Sequence, residues 1–203
     1  MCIRDSTYTA GLNQTVSPLG GNVAISGNIS APANVIISTS SAHALSFLSP
    51  VNVTLSGLTF QTTGSNRCIS ASGAGVNIFI GPSIIFGSSG NAHIFSNRNA
   101  LVSLDNNYAI TGSAPTHYNV QQAGIISGAG KTITLSGESA FSDSFAKVFL
   151  AGVLQTQNMN FLGTAIGQRY NVYGNGVINT NGRGEIFFPG SVAGSIATGG
   201  QYL

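Results

Sequence analysis

Outside its first six residues the chain carries four carboxylates: Asp105, Glu138, Asp143 and Glu185. Glycan hydrolysis needs two of them, roughly 5 to 10 Å apart, one as acid and the other as nucleophile or base. Asp105 and Glu138 stand at the turn of a phrase that the chain repeats, in Leu104-Asp105-Asn106 and Ser136-Gly137-Glu138. If the repeats stack as coils about 4.8 Å apart, these two are the best catalytic pair available. The competing reading is two solvated turn residues, since Asp satisfies its own backbone in turns.

The histidines are His43, His93 and His117, the last two 24 residues apart, so one repeat unit stacks them into a polar ladder. They lack a third ligand and show no H-x-H or H-x-x-x-H spacing, so no metal site is assigned. Gly128-Ala-Gly-Lys131-Thr132 lacks the earlier glycine of a phosphate-binding loop and runs into a strand, not a helix. There is no G-x-S-x-G elbow, and no cofactor is called for. Tyr108 and Tyr118 flank the least regular stretch, around Ser113–Tyr118, with Asn107, His117 and Asn119 beside them. Aromatic faces with a few polar groups are how sugars are held, so Tyr108, His117, Tyr118 and Asn119 are the expected glycan contact. The alternative is an ordinary loop anchored by two half-buried tyrosines.

What must position these residues is the repeated phrase itself. It reads Val53-Thr-Leu-Ser-Gly-Leu-Thr-Phe60, then Val76 to Phe86, then Leu101 to Ile110, then Ile133-Thr-Leu-Ser-Gly-Glu-Ser-Ala-Phe141. Each copy is a short strand, a tight polar turn and a second apolar run. A repeat of roughly 20 to 30 residues marks a solenoid, whose units bury their apolar faces only by stacking. Only 6% of residues are charged while 42% are hydrophobic, against about 25% charged in an ordinary domain. Ser, Thr, Asn and Gly replace the missing charge and suit hydrogen-bonded ladders between β-coils. The expected fold is all-β: a single-stranded right-handed parallel β-helix with a small C-terminal β cap. Alternation puts Val51, Val53 and Leu55 inside, with Asn52 and Thr54 outside.

Three segments follow. Residues 1–6 differ in composition from the rest and hold Arg4 and Asp5 of the chain's few charges. They read as a non-native, adapter-derived segment, which makes the chain a C-terminal fragment of a longer protein. Residues 7–162 form the β-helix, with the stretch around Ser113–Tyr118 as a loop leaving the coil. Residues 163–203 form a cap and trimerisation segment, where Val177-Ile178 and Glu185–Phe188 read as a hairpin. Tyr170, Tyr173, Phe187 and Phe188 pack in this cap or between subunits. A net charge of +2 on scattered side chains excludes a nucleic-acid surface, and no apolar run is long enough for membrane insertion. Cys2 and Cys68 lack a metal-type spacing, and Cys68 reads as a buried apolar residue.

The tail Asn175-Gly-Val-Ile178, Gly182-Arg-Gly-Glu-Ile-Phe-Phe-Pro-Gly190 and Ala197-Thr-Gly-Gly-Gln-Tyr202 resembles the C-terminus of many bacteriophage tail fibre and tailspike proteins. In that family it follows a right-handed parallel β-helix. The tail covers about a sixth of the chain. The resemblance implies a virion protein, extracellular on the phage tail, usually a homotrimer, that binds host cell-surface polysaccharide. It leaves catalysis open, because the family holds both adhesins and glycan-cleaving spikes. The alternatives are a polysaccharide depolymerase using Asp105 and Glu138, and a bacterial β-helical adhesin or autotransporter passenger.

Overall fold

A computed structural model of the chain describes residues 4–14 and 21–203. Those residues form a parallel β-solenoid whose rungs have a triangular section, and none of them is in an α-helix. Cys2 lies outside the described residues, so its relation to Cys68 does too. Three sheets run along the axis. Sheet I stacks eight strands, from Asn22–Ser26 through Val51–Ser56, Val76–Ile80, Leu101–Leu104, Ile125–Ala129, Val153–Gln157 and Val177–Asn179 to Gln201–Tyr202. Sheet II stacks seven, from Ser6–Tyr8 to Asn160–Leu162, and sheet III runs from Leu12–Gln14 to Ser195–Ile196. The chain visits I, II and III in turn, and among the described residues every pairing between rungs is parallel.

Short strands of β-branched residues broken by Gly, Pro and Asn dictate this path, since each break is a corner of the triangle. Alternation then sends one set of side chains inward. Val53, Ile78, Val102, Ile126, Leu154 and Ile178 stack in register behind sheet I, all fully buried except for the last rung's partner Tyr202. Behind sheet II, Phe60 meets Phe86 at 6.1 Å and Phe86 meets Tyr108 edge-on at 5.4 Å. Outside sheet I, Asn77 donates through Nδ2 to Asn52 Oδ1 (2.8 Å), and Asn52 donates likewise to Asn22 (3.0 Å). The same outer column continues as Leu101, Ile125, Val153 and Val177.

Two expectations are corrected here. The stretch around Ser113–Tyr118 does not leave the coil: Ala114–Val120 is a seven-residue strand of sheet III. The irregularity belongs to the next rung, where Ser139–Val148 bulges between the partners of Ala114 and Thr116. A bulge inserts a residue without expelling the strand. Nor is there a hairpin near the end. Val177–Asn179 pairs in parallel with Val153–Gln157 and Gln201–Tyr202, and Glu185–Phe188 forms no strand. Parallel rungs therefore continue beyond Gly163. Near the N-terminus, Ser6 begins the first strand of sheet II, and Asp5 accepts from Asn28 Nδ2 (3.1 Å).

The last rung has no strand in sheet II. The segment between Val177–Asn179 and Ser195–Ile196 lays Phe187 and Phe188 over Phe161, with centroids 5.3 and 5.6 Å away. The ring of Tyr170 stacks on Tyr202 at 4.2 Å. Tyr170, Phe187 and Phe188 thus close the core at this end, whereas Tyr173 lies on the outer face, stacked on Phe149 at 5.0 Å.

Coil stacking leaves no room at certain corners. A Cβ on Gly90 would stand 1.7 Å from the Gly64 carbonyl oxygen of the preceding rung. Gly90→Ala should therefore cost at least about 3 kcal/mol in urea unfolding, because backbone must move. Thr54→Ala, at an exposed outer position, should stay within about 0.5 kcal/mol.

Candidate functional site

Tyr108, His117 and Tyr118 are 4%, 0% and 0% exposed, so a surface sugar does not reach them. They are inside because the corner between sheets II and III is filled by a column of Cys68, His93, His117 and Phe145. Asn119 is on the outer face of sheet III between Phe95 and Lys147, and its buried Oδ1 has no hydrogen-bond partner. The expected glycan contact is thus overturned for the three ring residues by their burial.

The buried groups make a chain of hydrogen bonds with one possible direction. His93 Nε2 lies 2.8 Å from the Gly87 carbonyl, which can only accept, so that nitrogen carries the proton. Burial lowers the pKa of His93 to about 4, so the ring is neutral and its Nδ1 accepts. His117 Nδ1 must then donate across 3.1 Å to His93 Nδ1, leaving His117 Nε2 to accept from the Tyr108 hydroxyl at 2.7 Å. Tyr118 completes the chain by donating to Tyr108 Oη. Burial also holds His117 well below the usual histidine range, with His93 reinforcing it, and raises both tyrosines. The expected ladder of histidines exists for His93 and His117. His43 stands one position out of that column, where its Nδ1 accepts from the Arg67 backbone N–H at 3.1 Å.

Asp105 and Glu138 are both exposed but stand at different corners. Asp105 follows the sheet I strand Leu101–Leu104, whereas Glu138 follows the sheet II strand Thr132–Leu135. The fourth copy of the repeated phrase is shifted by one face: Ile133–Phe141 spans sheets II and III, and the earlier copies span I and II. One strand of sheet II therefore intervenes, and its four residues alone extend on the order of 10 Å. The expected pairing is corrected on that ground. Asp143, for its part, is engaged by the Lys147 ammonium.

A shallow, solvent-facing groove lies on sheet II. Its floor is the outer column Ile85, Ala109 and Thr134 from three successive rungs. One end is overhung by Pro32 from the short 3-10 turn Pro32–Asn34, whose carbonyl accepts from Thr59 Oγ1 at 2.9 Å. The rim toward sheet I is made by the corner residues Asn106, Asn107 and Lys131, and the groove encloses about 650 Å³. Asn107 Oδ1 accepts from the Thr132 backbone N–H at 2.8 Å, which fixes the carboxamide and turns its Nδ2 to solvent use. Lys131 also borders a second hollow of about 430 Å³ around the corner, with Asp105, Ser127 and Gln155. Among the described residues the only side-chain ion pair is Lys147 with Asp143, so Lys131 stands unpaired between the two hollows.

In the residue pattern Lys131 stands only within the rejected phosphate-loop match, and Asn106 only as the neighbour of Asp105. The legible signal was the strand-turn-strand phrase at Leu101–Ile110 aligned with Ile125–Leu135, which stacks their turns on one corner. Comparison with protein-family models, characterised proteins and solved structures gives no match to the chain.

The buried chain gives a pH dependence with a definite sign. Unfolded imidazole binds a proton near pH 6.5 while folded His93 resists until about 4. The unfolded state thus holds more protons in that window, so stability is full above about 6.5 and falls as pH is lowered toward 4. The loss attributable to His93 is on the order of 3 kcal/mol, readable from urea midpoints across the interval. His117→Leu should cost about 2 to 4 kcal/mol at neutral pH, because it leaves the Tyr108 O–H without its acceptor and His93 Nδ1 without its donor.

Proposed function

We propose that this chain is a host-recognition segment of a phage tail fibre or tailspike, exposed on the virion and binding a surface polysaccharide along sheet II. The observation that carries the reading is the groove with its floor of Ile85, Ala109 and Thr134 and its rim of Asn106, Asn107 and Lys131. Successive rungs repeat about every 4.8 Å, close to the length of one sugar ring in a chain. An extended glycan lying along the axis therefore meets the same kind of surface at each ring. Apolar patches beside placed hydrogen-bonding groups suit the apolar ring faces and hydroxyls of such a ligand. Lys131 favours polysaccharides bearing carboxylate, phosphate or sulfate. The tail phrase Gly182–Gly190 and Ala197–Tyr202 supplies the phage resemblance, and the groove supplies the contact.

Self-association as a homotrimer is part of the same proposal. Exposed large apolar residues gather near the C-terminus: Leu162, Ile166, Ile186, Val192, Ile196 and Leu203, with Ile186 81% exposed. Apolar surface gathered in one region marks an interaction site, and three copies would multiply weak glycan contacts into avidity. The depolymerase reading loses its one specific carboxylate pair within this stretch.

Lys131→Ala combined with Asn107→Ala should weaken binding to an acidic bacterial surface polysaccharide at least about tenfold, the equivalent of about 1.4 kcal/mol. The melting temperature should stay within a few degrees. Equal binding by the variant, or no binding by the parent to a panel of acidic and neutral surface polysaccharides, would sink the groove. For assembly, light scattering of the parent should give a three-chain mass and Ile186→Asp should lower it. A parent that remains monomeric at high concentration removes the trimer.

A further inference from the structure

The sequence contains two Asn-Gly pairs, Asn175-Gly176 and Asn181-Gly182, and their surroundings differ in the one respect that governs their chemistry. At the first pair the Gly176 N–H donates to the Tyr173 carbonyl at 3.0 Å. The Asn175 N–H donates to Thr198, and the Asn175 carboxamide lies against Gly199, where a Cβ would come within 2.2 Å of its Oδ1. At the second pair Asn181 and Gly182 are both exposed. The Asn181 backbone N–H donates to Asn179 Oδ1, but its carboxamide and the Gly182 N–H have no partner among the described residues. Nothing lies within 4 Å of the place where a Cβ on Gly182 would be.

We infer that Asn181 is a site of spontaneous deamidation, and that Asn175 is protected from the same reaction by the fold. The Gly182 backbone nitrogen loses its proton to solvent base and attacks Asn181 Cγ. A new N–Cγ bond forms and the side-chain nitrogen leaves as ammonia, giving a five-membered succinimide. Water then opens one of its two carbonyl–nitrogen bonds. Opening at Cγ leaves aspartate, and opening at the former backbone carbonyl leaves isoaspartate, with the chain routed through the side chain. The sum is one water consumed and one ammonia released, with no change of oxidation state. Asn175 is exposed like Asn181, but Gly176 is buried and the hydrogen bond on its attacking nitrogen opposes this path, so opening of the local structure must come first at Asn175.

The position matters because the turn after Thr180 ties down the end of the chain. The Thr180 N–H donates to the Leu203 carbonyl at 2.7 Å, and the Tyr202 hydroxyl donates to the Gly184 carbonyl at 3.2 Å. Isoaspartate at 181 lengthens the backbone between these two anchors and adds a negative charge beside Arg183.

The test is to age the purified chain at mildly alkaline pH and map it by trypsin and tandem mass spectrometry, sequencing the peptide Tyr170–Arg183 that contains both pairs. In the folded chain, acid should appear at position 181 at least about tenfold faster than at 175. In denaturant the two rates should converge, since both pairs share the same local chemistry. Equal rates in the folded chain, faster change at 175, or a rate at 181 lower when folded than when denatured by the same factor as at 175, would overturn the assignment. Asn181→Gln should abolish the fast phase. Hydrogen exchange at Gln201–Leu203 should quicken in the aged fraction, and unchanged exchange there would overturn the coupling to the last rung.

Discussion

Everything in this molecule depends on the parallel ladder of backbone hydrogen bonds between rungs. A single rung has too little apolar surface to offset the entropy of ordering its residues, and no helix or second layer covers it. Its inward side chains are covered only by the rungs before and after. The cost of a bad fit is therefore paid twice, once against each neighbour. This is why the corner glycines have no room for a side chain, and why Phe86 stacks on Phe60 in one row with the Tyr108 ring edge-on to it from the row beside.

Ladder geometry also explains how polar groups survive inside. His93, His117, Tyr108 and Tyr118 are each costly to bury alone. Stacking places their ring atoms at hydrogen-bond distance, and one carbonyl, that of Gly87, fixes the direction of the whole chain. The column holds Cys68 as well, fully buried, where the thiol is pushed up to about 12 by desolvation. Such a corner is specified more tightly than an aliphatic one, because reversing any link would leave two donors or two acceptors face to face.

Much of this was legible in the sequence, for reasons that can be located. Strand alternation in Val51–Leu55 assigned the inner and outer faces, and the phrase repeated from Val53 to Val76 to Leu101 assigned the stacking. Low charge with ordinary hydrophobicity assigned the class. What could not be read was phase. The phrase Ile133–Phe141 resembles Val53–Phe60 locally but turns a different corner, because strand-turn-strand is the same pattern at every vertex of a triangle. That one ambiguity put Glu138 beside Asp105 on paper and a strand's length away in space. A second limit concerned the tyrosines: next to polar neighbours, a buried hydroxyl partner and a sugar-stacking ring look alike. Only the register of His117 upon His93 separates them.

The outer column of sheet I has a consequence for the rod as a whole. Asn22, Asn52 and Asn77 give way along one line to Leu101, Ile125, Val153 and Val177. This one column thus turns from polar to apolar along the axis before it ends at Gln201, while its neighbour on the same face runs through Ser103, Ser127, Gln155 and Asn179. The apolar column is therefore a seam one residue wide, edged by a polar stripe, which a flat apolar surface would touch only along a line.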